Sequence, residues 1–189
     1  MDVSKGAPSL TRNMRREEFL AFPEGPPDYE FEQGEAIRVV RPHSRHQKML
    51  MRLSAILDQY VSDQNLGAVW IQIDVFLSED RIYSPDIVYL AREHADRHDE
   101  ETGKIHGTPD LVVEIISPHT VARDRVTKFK AYLAAGVPFY WLADPNALTL
   151  EEFVAQPDGY LCTASAAAGE TFRPTCFPGL EIDLQRLLS

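Results

Sequence analysis

An aspartate follows a proline at the head of two apolar runs in this chain. They are Ser84-Pro85-Asp86-Ile87-Val88-Tyr89-Leu90 and Pro109-Asp110-Leu111-Val112-Val113-Glu114-Ile115-Ile116-Ser117. The second run carries Glu114 among neighbours that are all apolar. A carboxylate buried in such company is costly unless it is paired or binds a metal. Two strands that bring Asp86 and Glu114 together would form an oxygen-only site for a hard cation. Mg2+ is the first candidate, and phosphodiester cleavage is the chemistry it serves best. Side chains alternate along a strand, so Asp110, Val112, Glu114 and Ile116 share one face while Leu111, Val113 and Ile115 share the other. Asp110 lies two strand repeats from Glu114. It could join one octahedral ion only through water or at a second ion, which makes it a secondary candidate. Pro-Asp before a strand is also ordinary turn chemistry, with the aspartate capping backbone. Both readings stand for Asp86 and Asp110.

The elements that must position these acids are legible as periodicities. Asn13 is placed to cap a short helix through Arg16, Glu17, Phe19 and Leu20. Residues 29–32 and 35–40 read as a hairpin around Gly34. From Ser44 to about Gln64, Met49, Leu50, Leu53, Ile56, Leu57, Tyr60 and Val61 recur at helical spacing. His46 falls on the polar face of that helix. Ala68 to Leu77 alternates as one strand. A polar stretch from Arg92 to Lys104 contains Glu93, His94, Asp96, His98, Asp99, Glu100 and Glu101. It lacks the regular spacing of a transition-metal site and reads as a solvated insert. A helix from about Val121 to Ala135 is expected to bury Ala122, Val126, Phe129 and Leu133 and to stop at Gly136. Val137 to Ala143 reads as a buried strand with Tyr140 and Trp141 in the core, and hairpin patterns follow at residues 148–154 and 160–164. Strand, helix and strand from Leu111 to Ala143 make a βαβ-like unit. The fold class predicted is mixed α/β (α+β), a central mixed sheet flanked by helices. Residues 1–10 are predicted to be disordered and 11–189 to form one domain.

The 189 residues, 44% hydrophobic and 25% charged, suit one globular domain. No run spans a bilayer, and the N-terminus has no apolar h-region, so a cytoplasmic protein with no membrane partner is expected. Cys162 and Cys176 form no metal-type pair and read as reduced thiols. A net charge of -10 argues against non-specific coating of nucleic acid. A nuclease is not excluded, because an active site of carboxylates is itself acidic. Two basic groups, Arg38, Arg41, Arg45, Lys48 and Arg52, and Arg123, Arg125, Lys128 and Lys130, could dock a phosphate backbone or form a solvated surface.

A Pro-Asp strand followed by a strand with a buried acid resembles the PD-(D/E)XK nuclease superfamily. There the two acids hold metal and a lysine two positions after the second assists. Asp86 and Glu114 match the acids, but Ile116 stands at the lysine position. Residues 109–118 together with Asp124, Lys128, Tyr132, Gly136-Val137-Pro138, Tyr140-Trp141 and Asp144-Pro145 closely resemble the Uma-type family of putative restriction endonucleases, whose lysine has moved to the helix at the place of Lys128. Tyr29-Glu30, Gly34-Glu35 and His46 match its N-terminal pattern. The resemblance implies a restriction-endonuclease-like fold and a metal-dependent endonuclease acting on DNA, with Mg2+ (or Mn2+) as cofactor. In that reading Asp86 and Glu114 ligate the metal, Glu30 is a third acid that reaches the metal from the hairpin, and Lys128 stabilises negative charge or orients the water. A homodimer is expected, since cutting both strands needs two sites. By spacing alone Asp124 and Lys128, at i and i+4, form a surface salt bridge. Two rival functions remain at this level. One is a catalytically silent domain that binds nucleic acid or protein; the other is a hydrolase of a smaller phosphoester.

Overall fold

The computed structural model of the protein describes residues 13–188 apart from Glu24, Pro26, residues 40–42 and residues 118–121. The expected disorder of residues 1–10, Arg41 of the first basic group and the start of the helix at Val121 lie outside the described residues.

A short helix α1 (Arg16–Leu20) leads into the hairpin β1 (Tyr29–Glu32) and β2 (Glu35–Arg38). Arg15, not Asn13, stands at the N-cap of α1, and its backbone N–H donates to Glu18. Gln33 and Gly34 both have positive φ, which gives a two-residue hairpin a twist matching its strands. Helix α2 (Ser44–Asp63) buries Met49, Leu50, Leu53, Leu57 and Val61 along one stripe. His46 heads that stripe, at i-3 from Met49 and i-7 from Leu53, and is buried. Its placement on the polar face is therefore corrected: the imidazole belongs to the face turned inward.

The predicted strand at residues 68–77 is two strands. Gln72, with φ 49°, breaks it into β3 (Gly67–Ile71) and β4 (Val75–Ser78), which join different sheets. Strands β5 (Arg81–Tyr83) and β6 (Ile87–Ala91) follow. The stretch read as a solvated insert is ordered: a 3-10 turn (Arg92–Arg97) precedes β7 (His98–Asp99) and β8 (Lys104–His106), and β8 pairs in parallel with β4. Strand β9 (Leu111–Ile115) carries Glu114. A π-helical turn (Arg123–Lys128) runs into α3 (Phe129–Ala134), then β10 (Phe139–Asp144). The long hairpin β11 (Thr149–Gln156) and β12 (Gly159–Ala166) is followed by the small pair β13 (Thr171–Phe172) and β14 (Ile182–Asp183).

The fold is the mixed α/β type expected, with strands shared between two six-stranded sheets, in the orders β2-β1-β5-β4-β8-β7 and β12-β11-β10-β9-β6-β3. Strands β9 and β10 are parallel and joined by the π turn and α3, a βαβ unit inside an otherwise antiparallel second sheet. The alternation read from β9 holds. Leu111, Val113 and Ile115 pack with α2, Trp141, Phe172 and Phe177. Val112 and Ile116 pack with Tyr83, Tyr132, Tyr140 and Leu142 on the other side. A third cluster, Val75, Val88, Leu90 and Ile105, joins the two sheets. Gly67 is required by close approach: a Cβ there would stand 2.0 Å from the Leu90 carbonyl oxygen. Among the described residues no helix is long and apolar enough to cross a membrane.

Candidate active site

Strand β9 has β10 on one side and β6 on the other, so Glu114 cannot face solvent at an edge. The β6–β9 register pairs Ile87 with Val113 and Val88 with Val112. One step further places Asp86 directly opposite Glu114, on the same face. Asp86 Oδ2 accepts the Ile115 N–H at 2.7 Å and lies 3.2 Å from His46 Nε2. Asp86 thus caps backbone, as the turn reading expected, while standing beside the second acid.

The π turn brings the cations. Lys128 Nζ lies 2.9 Å from Glu114 Oε1 and 2.9 Å from Glu30 Oε1. Tyr132 Oη donates to the same Glu114 oxygen at 2.7 Å. Glu30 enters from β1 of the other sheet, where its Oε1 accepts the Ser84 N–H at 3.1 Å and its Oε2 pairs with Arg123. The expected apolar face of this helix is not the buried one. Val126 is half exposed, whereas Asp124, Lys128, Ala131 and Tyr132 are buried. The reason is what the helix covers: a floor of carboxylates draws the Lys128 ammonium and the Tyr132 hydroxyl inward. A surface salt bridge between Asp124 and Lys128 is excluded by the burial of both.

Three buried acids, Glu30, Glu114 and Asp124, act on one buried lysine, with Asp86 beside Glu114 and Arg123 at the rim. The surplus of negative charge falls on Glu114. Burial, and then Asp124, Asp86 and Glu30, push its carboxyl up to about 8 against the pull of Lys128. Burial would also raise Glu30, but Lys128 and Arg123 outweigh it and hold that carboxyl below its usual range. Burial disfavours the Lys128 ammonium, yet Glu114, Glu30 and Asp124 raise its pKa and keep it charged. Stability should therefore fall as pH climbs from 4.5 to about 8. The unfolded chain releases the Glu114 proton near the lower value and the fold near the upper one. Urea titrations across that window test this. Glu114→Gln, neutral throughout, should flatten the slope, and an unchanged slope would place the effect elsewhere.

Asp86, Glu114, Glu30, Lys128 and His46 are thus gathered at one place. Asp110 is not among them. It immediately precedes β9 at the far end, four residues or about 13 Å of extended chain from Glu114. Its carboxylate accepts the Ala91 N–H at 2.7 Å and meets His94 Nδ1 at 2.8 Å. Ile116, at the strand position of the superfamily's lysine, is buried among Tyr83 and Tyr132. Tyr132, four residues after Lys128, continued a visible i, i+4, i+8 stripe. The partnership of Arg123 with Glu30 had no sequence signal, because it depends on the π turn.

Several of the basic side chains are engaged within the fold. Lys48 and Arg52 donate to the carbonyls of Leu188 and Arg186, Arg123 pairs with Glu30 and Glu32, and Arg125 pairs with Glu151. Among the described residues no three His, Cys, Asp or Glu side chains converge as a ready metal cage. The Lys128 ammonium stands where Glu30 and Glu114 would otherwise meet. The donors that remain are carboxylate oxygens, the ligand type a hard divalent cation takes.

Residues 16–185 match the model of a family described as "Uma2: Putative restriction endonuclease". A crystal structure of "a putative nuclease belonging to DUF820" from Anabaena variabilis ATCC 29413 superposes with a TM-score of 0.72 at 22% sequence identity, over 91% of this chain and 96% of that one. At that identity the likeness bears on the fold alone. No curated protein matches the chain. The family match runs from α1 to the C-terminal turn and takes in both strands of the paired acids, the helix of Lys128 and the hairpin of Glu30, and on that evidence the chain belongs to the Uma2 family of restriction-endonuclease-like proteins.

Proposed function

We propose that this protein is an endonuclease that hydrolyses DNA phosphodiester bonds with Mg2+ or Mn2+. The observation that carries the reading is the buried excess of acid at Asp86 and Glu114 with the Lys128 ammonium beside it. Asp86 and Glu114 would hold the divalent cation, which when bound polarises the phosphate and acidifies a water. Lys128 supplies positive charge where the phosphate gains negative charge, in a site from which bulk water is largely excluded. Tyr132 keeps Glu114 in place through its hydroxyl, and His46 does the same for Asp86. Glu30, saturated by Ser84, Lys128 and Arg123, holds the lysine and serves as the third acid of the site. A homodimer would present two such sites to the two strands.

A supercoiled plasmid with and without Mg2+ or Mn2+ tests the reading, alongside thermal melts of the same protein. Metal should raise the melting temperature with concentration, because it binds the native state and relieves repulsion among the acids. Asp86→Asn should lose both that response and the cleavage. Equal metal responses from the two proteins would overturn the shared site. A metal response without cleavage of any DNA would favour the silent, binding form of the domain.

A further inference from the structure

Arg123 and Lys128 are five residues apart. In an α-helix, at about 100° per residue, they would project about 140° away from each other. The wider i→i+5 turn brings them back to one side, and such turns concentrate at functional sites. Both reach the same two groups. Glu30 gives Oε2 to Arg123 Nη1 and Oε1 to Lys128 Nζ, the latter at 2.9 Å. Both cations also sit 5.6 Å from the centroid of the Tyr83 ring, which is fully buried beneath them. Arg123 spends its second terminal nitrogen on Glu32 at 3.5 Å. Its side chain is 22% exposed against 6% for Lys128, so Arg123 is the outer of the two.

The consequence concerns where the lysine rests. A buried ammonium with two carboxylates within reach settles according to how much charge each has left to offer. With Oε2 of Glu30 already satisfied, Lys128 stands at 2.9 Å from Glu30 and 2.9 Å from Glu114. Without Arg123, Glu30 would turn its whole charge on Lys128 and draw it away from Glu114. We propose that Arg123 is a positioning residue that, acting through Glu30, fixes the Lys128 ammonium midway between Glu30 and Glu114. A lysine could not replace it, because the planar fork is what reaches Glu30 and Glu32 together. The activity arm of the test rests on the nuclease reading above; the spectroscopic arm does not.

The experiment compares wild type, Arg123→Gln, Arg123→Lys and the milder Glu32→Gln. The first readout is the side-chain ammonium resonance of Lys128 in 15N-labelled protein, assigned by its loss in Lys128→Arg. It should move and broaden in Arg123→Gln and in Arg123→Lys, and move less and in the opposite sense in Glu32→Gln, which leaves Arg123 more charge for Glu30. The second readout is steady-state cleavage of an end-labelled duplex with Mg2+. Arg123→Gln should lower kcat about 100-fold, the scale of a misplaced catalytic group, with KM within about twofold. A Lys128 resonance unchanged in folded Arg123→Gln overturns the proposal and leaves Arg123 a purely structural residue. A raised KM at constant kcat, with the salt slope of DNA binding reduced by about one, overturns it in favour of a phosphate contact. If wild type cleaves nothing, the nuclease reading fails, while the Lys128 resonance still decides the role of Arg123.

Discussion

Lys128→Ala is expected to lower cleavage by about 10²- to 10³-fold, the range for removing one preorganised electrostatic group from an active site, and to destabilise the fold at the same time. If the pair with Asp124 lay on the surface, the loss of stability would be small, about 0–1 kcal/mol. Burial changes that estimate. Lys128 lies at 5% exposure among Glu30, Glu114 and Asp124. Removing the cation leaves Glu30 to Arg123 and the Ser84 N–H and takes the ammonium from Glu114, and breaking a buried ion pair costs about 3–5 kcal/mol. Glu114 can escape by keeping its proton, so Glu30 bears most of the cost. Lys128→Met, which refills the volume without the charge, should be no more stable. Urea melts and single-turnover cleavage on the same preparations check both halves. Full activity in Lys128→Ala would reduce the lysine to a structural counter-ion. Full stability with lost activity would mean that Arg123 and the Ser84 N–H, which already hold Glu30, suffice without the lysine.

The second large effect lies on the opposite face of the same sheet. Glu152 on β11 is fully buried, and among the described residues no cation pairs with it. Five donors hold it instead. Oε1 accepts Thr163 Oγ1 at 2.9 Å, Thr175 N–H at 2.7 Å and Thr175 Oγ1 at 2.6 Å, while Oε2 accepts Trp141 Nε1–H at 3.0 Å and Cys176 N–H at 3.2 Å. Burial would raise this carboxyl, but the donors from Cys176 and Thr175 hold it below its usual range. The segment around Thr175 is thereby fastened to the hairpin and to Trp141 at the centre of the main core. Glu152→Ala should cost about 3–5 kcal/mol, since each orphaned buried donor costs about 1–3 kcal/mol and some of them recover water. Glu152→Gln should recover only part of the loss, because its amide presents N–H where an N–H already points. Chemical denaturation measures both variants. Metal-dependent cleavage per folded molecule should stay at the wild-type level, and a selective loss of activity would reveal a coupling across the sheet that these contacts do not contain.

Much of the frame was legible in the chain because local periodicity is set by local sterics. The 29–38 hairpin follows from its two turn residues, α2 from its apolar stripe, and the burial of Glu114 from its neighbours in β9. The errors have local causes too. One residue of positive φ at Gln72 divided a strand whose alternation looked continuous. His46 reads as polar surface because imidazole is polar, although its spacing from Met49, Leu50 and Leu53 puts it on the inward stripe. The helix after β9 was assigned its buried face by hydrophobicity, and the real face is charged.

The sequence by itself determined that Asp86 heads one apolar strand and Glu114 lies inside another, and that a lysine and a tyrosine follow at i+4 spacing on the next helix. It could not decide that the two acids are cross-strand partners, since register is a property of the pair of strands and not of either one. Nor could it decide that Glu30, from the other sheet, closes over Lys128, or that a π turn swings Arg123 to the same carboxylate. Those placements depend on long-range packing between two sheets. They also set the electrostatics: burial and three neighbouring acids, invisible along the chain, are what lift Glu114 while the two cations hold Glu30 down.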